Sequence, residues 1–436
     1  MSMVKSSGLQ FDFIPAISTD NYATAIVIVP KIISKKIYDH ISSSEAKRLN
    51  PYGFHQSTAT PIEYIEKNLR GSILNNLKEF LLRYTVLNFI YKSLRDNHIS
   101  NIGSPLLADI NIDEEFNFKF TFKLVTAQAE QIMDWHYALF KSPLRKNYKD
   151  LDKRAKEFIE EESIKEKDYK EINKIQNGDW VCFSTWLCDE NLNPIFPEDS
   201  TDLWLRIGND EVNIPFQEIF VDKIIGQSFI TDNMCIQEYF NSQIENQHKY
   251  LITIKDIVNN GFFSIEQFKK HFKIKTHKSA HQKMIETFSS TNDLSLRKTI
   301  IEHLFDFLLS KHKVNLPQHA ITRQQRSVIE GLQEIPDYHV YRAQKDFNKN
   351  VQNLAIRQLQ ELVLTDYIAF QESINVDEND LKNYLNLTLR PRANEFIYFK
   401  HSAINPNEQE WPIPAELLKS MCLKEKTLTH ILQILS

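Results

Sequence analysis

Between positions 116 and 122 phenylalanine alternates with a polar residue, placing Phe116, Phe118, Phe120 and Phe122 in the run FNFKFTFKLV. An extended chain with one buried face satisfies a period of two, so this stretch predicts a half-buried strand. Elsewhere the period changes. From Ile62 to Asn97 the apolar residues Ile73, Leu77, Phe80, Leu81 and Tyr84 step by three and four, which predicts a long helix. Thr299 to Lys313 places Ile300, Ile301, Leu304, Phe305, Leu308 and Leu309 on one broad apolar face. Lys345 to Gln371 repeats apolar residues at Phe347, Val351, Leu354, Leu359, Leu362 and Ile368. A helix over that segment would span about 40 Å, a length suited to an arm or spine. The fold class is therefore α+β, in several domains.

Four textures follow one another. Residues 1–125 begin with the strand-like ATAIVIVP and a helix over Ile32 to Lys47. The turn-rich NPYGFHQSTATP, the long helix and the phenylalanine strand complete a β-α-loop-α-β order. Residues 126–174 lose the pattern, and charges of both signs dominate from Lys141 to Lys174, as in a solvated helical linker. Residues 175–257 predict short strands at Asp179–Leu187, Asp202–Ile207, Gln227–Gln237 and Lys249–Asp256, with a short helix opened by Pro215. Residues 258–436 are helical almost throughout, punctuated by Pro317, Pro336, Pro391, Pro412 and Pro414.

Composition excludes several functions. Only nine of the 436 residues are glycine, about 2% against a usual figure near 7%. No GxGxxG or GxxxxGK[ST] string exists, so phosphate-cradling nucleotide folds are unsupported. The net charge of −5 advertises no global nucleic-acid surface, and no sequence-specific nucleic acid partner is expected. The N-terminal run MSMVKSSGLQFDF lacks a signal-peptide core, and no long apolar run would span a membrane, which together lead us to expect a cytoplasmic protein without a membrane partner. Cys182, Cys188, Cys235 and Cys422 have no CxxC spacing and read as reduced thiols. His277 and His281 are spaced i, i+4 but lack a third ligand, so no metal or cofactor is expected. Nothing in the sequence reads as a hydrolase signature.

Several local strings, in order, resemble the trigger factor family of bacterial chaperones. These are Tyr52-Gly53-Phe54, preceded by Lys47-Arg48 and closed by Pro61; Gly178-Asp179-Trp180-Val181; Ile207-Gly208; Ile214-Pro215-Phe216; and Gly226-Gln227-Ser228-Phe229. Val314-Asn315-Leu316-Pro317 and Ile374-Asn375-Val376-Asp377-Glu378 complete the series. The resemblance implies a ribosome-binding-like domain over 1–125, a charged helical linker over 126–174, an FKBP-like prolyl isomerase domain over 175–257 and a helical chaperone domain with arms over 258–436. In that family a Gly-Phe-Arg-Lys loop docks on the large ribosomal subunit. Here Gly53 and Phe54 are kept, but His55 and Gln56 replace the two cations, leaving Lys47 and Arg48 upstream to supply charge.

The resemblance also assigns Phe196, Leu203, Ile214 and Phe216 to the prolyl pocket, an apolar cage that favours a twisted amide. Thr185 stands at the family's first-strand aromatic, Pro197 at an acidic position, and the glycine between Pro215 and Phe216 is missing. These departures fall on the pocket, so the domain is expected to keep its fold with weak or no isomerase activity. The leading function is a trigger-factor-like chaperone for nascent or unfolded polypeptides, with the ribosomal large subunit as a partner, assisting folding and export. An active FKBP-type isomerase with chaperone arms and a non-ribosomal assembly protein for one dedicated partner are the alternatives.

Overall fold

Two larger antiparallel sheets and a two-stranded ribbon carry the β part of the described residues. The structure is a computed structural model describing residues 8–17, 22–49, 60–129, 135–137, 153, 156, 174–197, 200–208, 214–241, 248–258, 269, 275–282, 294–333, 335–389, 397–399 and 411–435. β1 (Gln10–Ile14) and β2 (Ala23–Val29) lead into α1 (Lys31–Arg48). α2 (Ile62–Asn68), α3 (Arg70–Leu81), a π-helical turn (Leu82–Val86) and α4 (Leu87–Asp96) follow. β3 (Leu106–Ile112) and β4 (Phe118–Leu124) then close an antiparallel sheet of order β1-β2-β4-β3.

The alternation in β4 does what its period requires. Phe118, Phe120, Phe122 and Leu124 are buried while the residues between them are partly or fully exposed. Phe116 departs from the expected strand. It takes φ 67° in the β3–β4 turn, where Asp113 closes the loop by accepting from the Asn117 N–H and side-chain amide, each at 2.8 Å. Its ring still packs edge-on against Tyr38 and Phe118.

The helix expected over 62–97 is interrupted twice. It breaks at Leu69, whose φ of −120° lies outside the helical range, and it widens into the π turn that presents Tyr84. There the Tyr84 hydroxyl donates to the Thr185 carbonyl at 3.1 Å and accepts from the Leu187 N–H at 3.0 Å. Both groups belong to β6 (Trp180–Cys188), at the point where its neighbour β7 (Thr201–Arg206) begins. A side chain thus completes a strand edge, and the inserted residue in the helix is the local adjustment that lets it reach.

β5 (Gln128–Ala129) precedes β6, and α5 (Ile214–Phe220), β8 (Ser228–Thr231), α6 (Met234–Phe240) and β9 (Lys249–Val258) follow β7. The strand expected over Gln227–Gln237 is only half strand. Asn233 accepts from the Cys235 N–H at 2.9 Å and caps α6, turning the rest into helix. The helical part comprises α7 (Leu294–Lys311), β10 (Val314–Asn315), α8 (Gln318–Gln333), α9 (Tyr338–Arg342), α10 (Phe347–Gln371) and α11 (Glu378–Leu389). β11 (Ile413–Pro414) and α12 (Ala415–Leu435) end it.

β11 pairs with Leu203 and Trp204 at the edge of a five-stranded antiparallel sheet of order β11-β7-β6-β9-β8. Pro414 fits there because an edge strand can lack one donor. β10 pairs with β5 as a separate two-stranded ribbon. One continuous apolar core runs from Leu9 through both large sheets and α3–α4 to α11 and the start of α12. A second core joins Trp135, Phe305, Leu364, Ile368 and Leu428. All four cysteines are free. Among the described residues no helix is long and apolar enough to cross a membrane.

Candidate functional site

The α8–α9–α10 hairpin buries its α10 deeply but carries a small core of its own and several exposed apolar side chains where α8, α9 and the start of α10 meet. Its own core is Val328, Val351 and Ala355, with Leu332 and Phe347 packed against them. Ile335, Val340, Tyr341 and Leu354 stay 41%, 66%, 44% and 44% exposed. Exposed apolar residues at these positions leave apolar surface in water along one hairpin, the kind of surface that can serve as a contact.

Beside this hairpin lies a cavity of about 960 Å³, bounded by α4, α8, α10, α12 and the segment 397–399. Leu332, Leu354, Leu362, Phe370 and Met421 supply apolar wall. Its polar groups are mostly tied to one another. Arg357 donates from Nε to Glu361 at 2.8 Å and from Nη1 to Asp306 at 2.5 Å, and the Tyr398 hydroxyl donates to the other Glu361 oxygen at 2.7 Å. Burial pushes the Glu361 carboxyl above the usual range, although the Tyr398 and Arg357 hydrogen bonds work in the opposite direction. Burial likewise raises Asp366, against the pull of Lys424 and of the Ser100 hydroxyl that donates to it at 2.7 Å. Most of the charges on these walls are paired, with apolar surface between them.

The prolyl-pocket residues sit in different surroundings. Leu203 is fully buried between Phe183 and Pro414 in register. Phe196 is half-buried beneath the Lys36 ammonium of α1, 5.2 Å from its ring centroid. Phe216 meets Trp411 edge-to-face at 6.0 Å. Ile214 opens α5, and its side chain lies outside the described residues.

Of the ribosome-loop residues, Gly53, Phe54 and His55 lie outside the described residues. Lys47 pairs with Glu190, and Arg48 bonds Glu45 at 2.9 Å. His277 Nε2 lies 3.1 Å from the Lys269 ammonium, and among the described residues no three potential ligands gather as a metal site. Sequence periodicity identifies Leu354 as part of a stripe but not as exposed. It misses Arg357, Glu361 and Asp366, because charged residues within a helical stripe read as solvent-facing until the neighbouring helices are placed.

An α+β body carrying an open helical cleft and a thinly packed hairpin arm is the class of protein these elements define. No protein family matches the chain, and no curated protein does. Among solved structures, one described as promiscuous substrate recognition in folding and assembly activities of the trigger factor chaperone aligns with it. The alignment covers 98% of this chain and 100% of that one, at 15% identity and a TM-score of 0.35. At that score the likeness settles neither fold nor function.

Proposed function

We propose that this chain is a polypeptide-binding chaperone that holds unfolded or nascent segments against its helical hairpin and the adjoining cleft. The observation that carries the reading is the exposure of Ile335, Val340, Tyr341 and Leu354 on one arm beside a cavity of about 960 Å³. An unfolded client exposes apolar side chains, and covering them on this patch removes apolar area from water on both partners. The scattered and shallow character of the patch favours weak, sequence-tolerant contacts over one lock-and-key partner.

In this reading residues 258–436 form the client-holding part, 1–125 and 175–257 the body that carries it, and 126–174 the linker. The reading keeps prolyl isomerisation weak or absent, which the burial of Leu203 and the different neighbours of the part-buried Phe196 and Phe216 support. A proline-containing tetrapeptide should isomerise at the background rate. Ribosome contact through Phe54 remains part of the reading, weakened because Lys47 is paired with Glu190. Co-sedimentation with ribosomes at low salt, reduced by Phe54→Ala, is the expected result. The deciding test of the main reading is suppression of aggregation of a reduced, unfolded model protein at stoichiometric chaperone. Unchanged aggregation would reject it, and recovery from cells of one stoichiometric partner instead would favour an assembly protein.

A further inference from the structure

The charges lining the cleft are unequally matched. Arg357 meets Asp306 and Glu361 and donates to the Glu302 carbonyl at 3.3 Å. Arg95 pairs with Glu416, and Lys424 stands 3.9 Å from Asp366. Arg323 differs. It reaches the Ile102 carbonyl with one Nη2 donor at 2.5 Å, and no carboxylate among the described residues lies within ion-pairing distance of it.

The guanidinium crosses directly over Gly103, whose φ of +79° is a left-handed conformation, and a Cβ there would come within 2.5 Å of Nη2. Glycine is what the left-handed turn calls for, and its missing Cβ leaves room for the guanidinium, the flexible end of Arg323, to lie against the backbone. One contact to a carbonyl leaves most of the five guanidinium donors unused, in a planar fork whose geometry matches a carboxylate. Arg323 shares the cavity wall with Leu332 and Leu354, so a group bound to the fork would have apolar surface beside it.

Resting on the reading of the cleft as a polypeptide-binding site, the geometry points to Arg323 as a carboxylate anchor, so that the cleft prefers unfolded segments in which an Asp or Glu lies among apolar residues. The chemistry of the fork itself selects this occupant: although the Glu302 carboxylate also lines the cleft, a carboxylate placed beside Arg323 meets unused donors, and an uncharged group there would leave the fork to water. A charge-assisted bidentate contact in a half-buried site contributes about tenfold or more in affinity over a neutral counterpart.

The test uses the full chain and two fluorescein-labelled apolar peptides with blocked ends, identical except for a central Asp in one and Asn in the other. Fluorescence anisotropy should show the Asp peptide binding about tenfold tighter, with the difference lost in Arg323→Gln and reduced in Gly103→Ala. Equal affinities in the unmodified protein would overturn the anchor while leaving the cleft a peptide site. Failure of both peptides to bind a correctly folded chain would overturn the functional reading as well. Displacement of the Asp peptide by decanoate at comparable concentration would overturn the peptide assignment in favour of a fatty carboxylate.

Discussion

Two aromatic-rich regions use the same residue types to opposite ends. At the junction of α3, the π turn, α6 and β9, the rings of Phe80, Tyr84, Phe240 and Tyr250 stack or tilt against one another at 4.9 to 5.8 Å. All four are buried, and the Tyr84 hydroxyl serves the edge of β6 as both donor and acceptor. On the α8–α10 hairpin, Tyr341 and Val340 face outward and the local core is three small or medium side chains. The junction joins the two sheets into one body. The arm keeps apolar side chains in contact with water. Burial, not composition, separates scaffold from contact surface here.

The contrast can be broken most forcefully at the junction. Phe240→Ala should lower the unfolding free energy by about 3 to 5 kcal/mol, since a fully buried ring leaves a cavity its neighbours only partly fill. Urea denaturation measures this, and a loss below about 1 kcal/mol would mean the junction is not the continuous core described.

Acid provides a second probe of the same place. His248 is buried, and its ring lies 5.3 Å from that of His40. Burial, with a smaller contribution from His40, pushes the His248 pKa down to about 3, and burial lowers His40 too, against the pull of Glu190 and Asp189 and with a small further lowering from Lys47. The folded chain holds the His248 imidazole neutral, whereas the unfolded chain protonates it near its ordinary value of about 6.5. Stability should therefore be full above about pH 6.5 and fall progressively towards pH 3, by a few kcal/mol at most. His248→Leu should flatten that decline in denaturation curves taken across the range.

Much of this junction is legible in the amino-acid sequence. Beyond the junction, the period-two phenylalanines and the helical stripes follow from local pattern, because a buried face imposes its period on the sequence. The π turn is not legible there. Tyr84 fits the three-four step of an ordinary helix, and the reason for the bulge is the edge of β6, which lies about a hundred positions away. The second half of the strand expected at Gln227–Gln237 yields to the Asn233 cap, a signal present in the sequence but outweighed by its apolar run. The cleft is the least legible part. Its walls come from α4, α8, α10 and α12, and no local periodicity states that Leu354 on one of them lacks a covering neighbour.

Smaller effects sharpen the comparison. Tyr84→Phe keeps the ring and removes only the hydroxyl, leaving the Thr185 carbonyl and the Leu187 N–H without that partner. A loss of about 1 to 3 kcal/mol is expected, with faster hydrogen exchange at the Leu187 amide than at its β6 neighbours. On the arm, Val340→Ser should change stability by no more than about 0.5 kcal/mol, because its side chain is already largely in water, and Leu354→Ser, more than half buried, by about 1 kcal/mol.

Those two arm substitutions, combined in one chain, give the most direct measurement of the central claim. Light scattering would follow aggregation of a reduced, unfolded model protein with the unmodified chain and with the doubly substituted one. The unmodified chain should suppress aggregation, and the variant should require several-fold more protein for the same suppression while still unfolding in one transition, with a urea midpoint lowered only by the small loss expected from Leu354→Ser. Equal suppression by both chains, or none by either, would show that the exposed arm is not where this protein holds its clients.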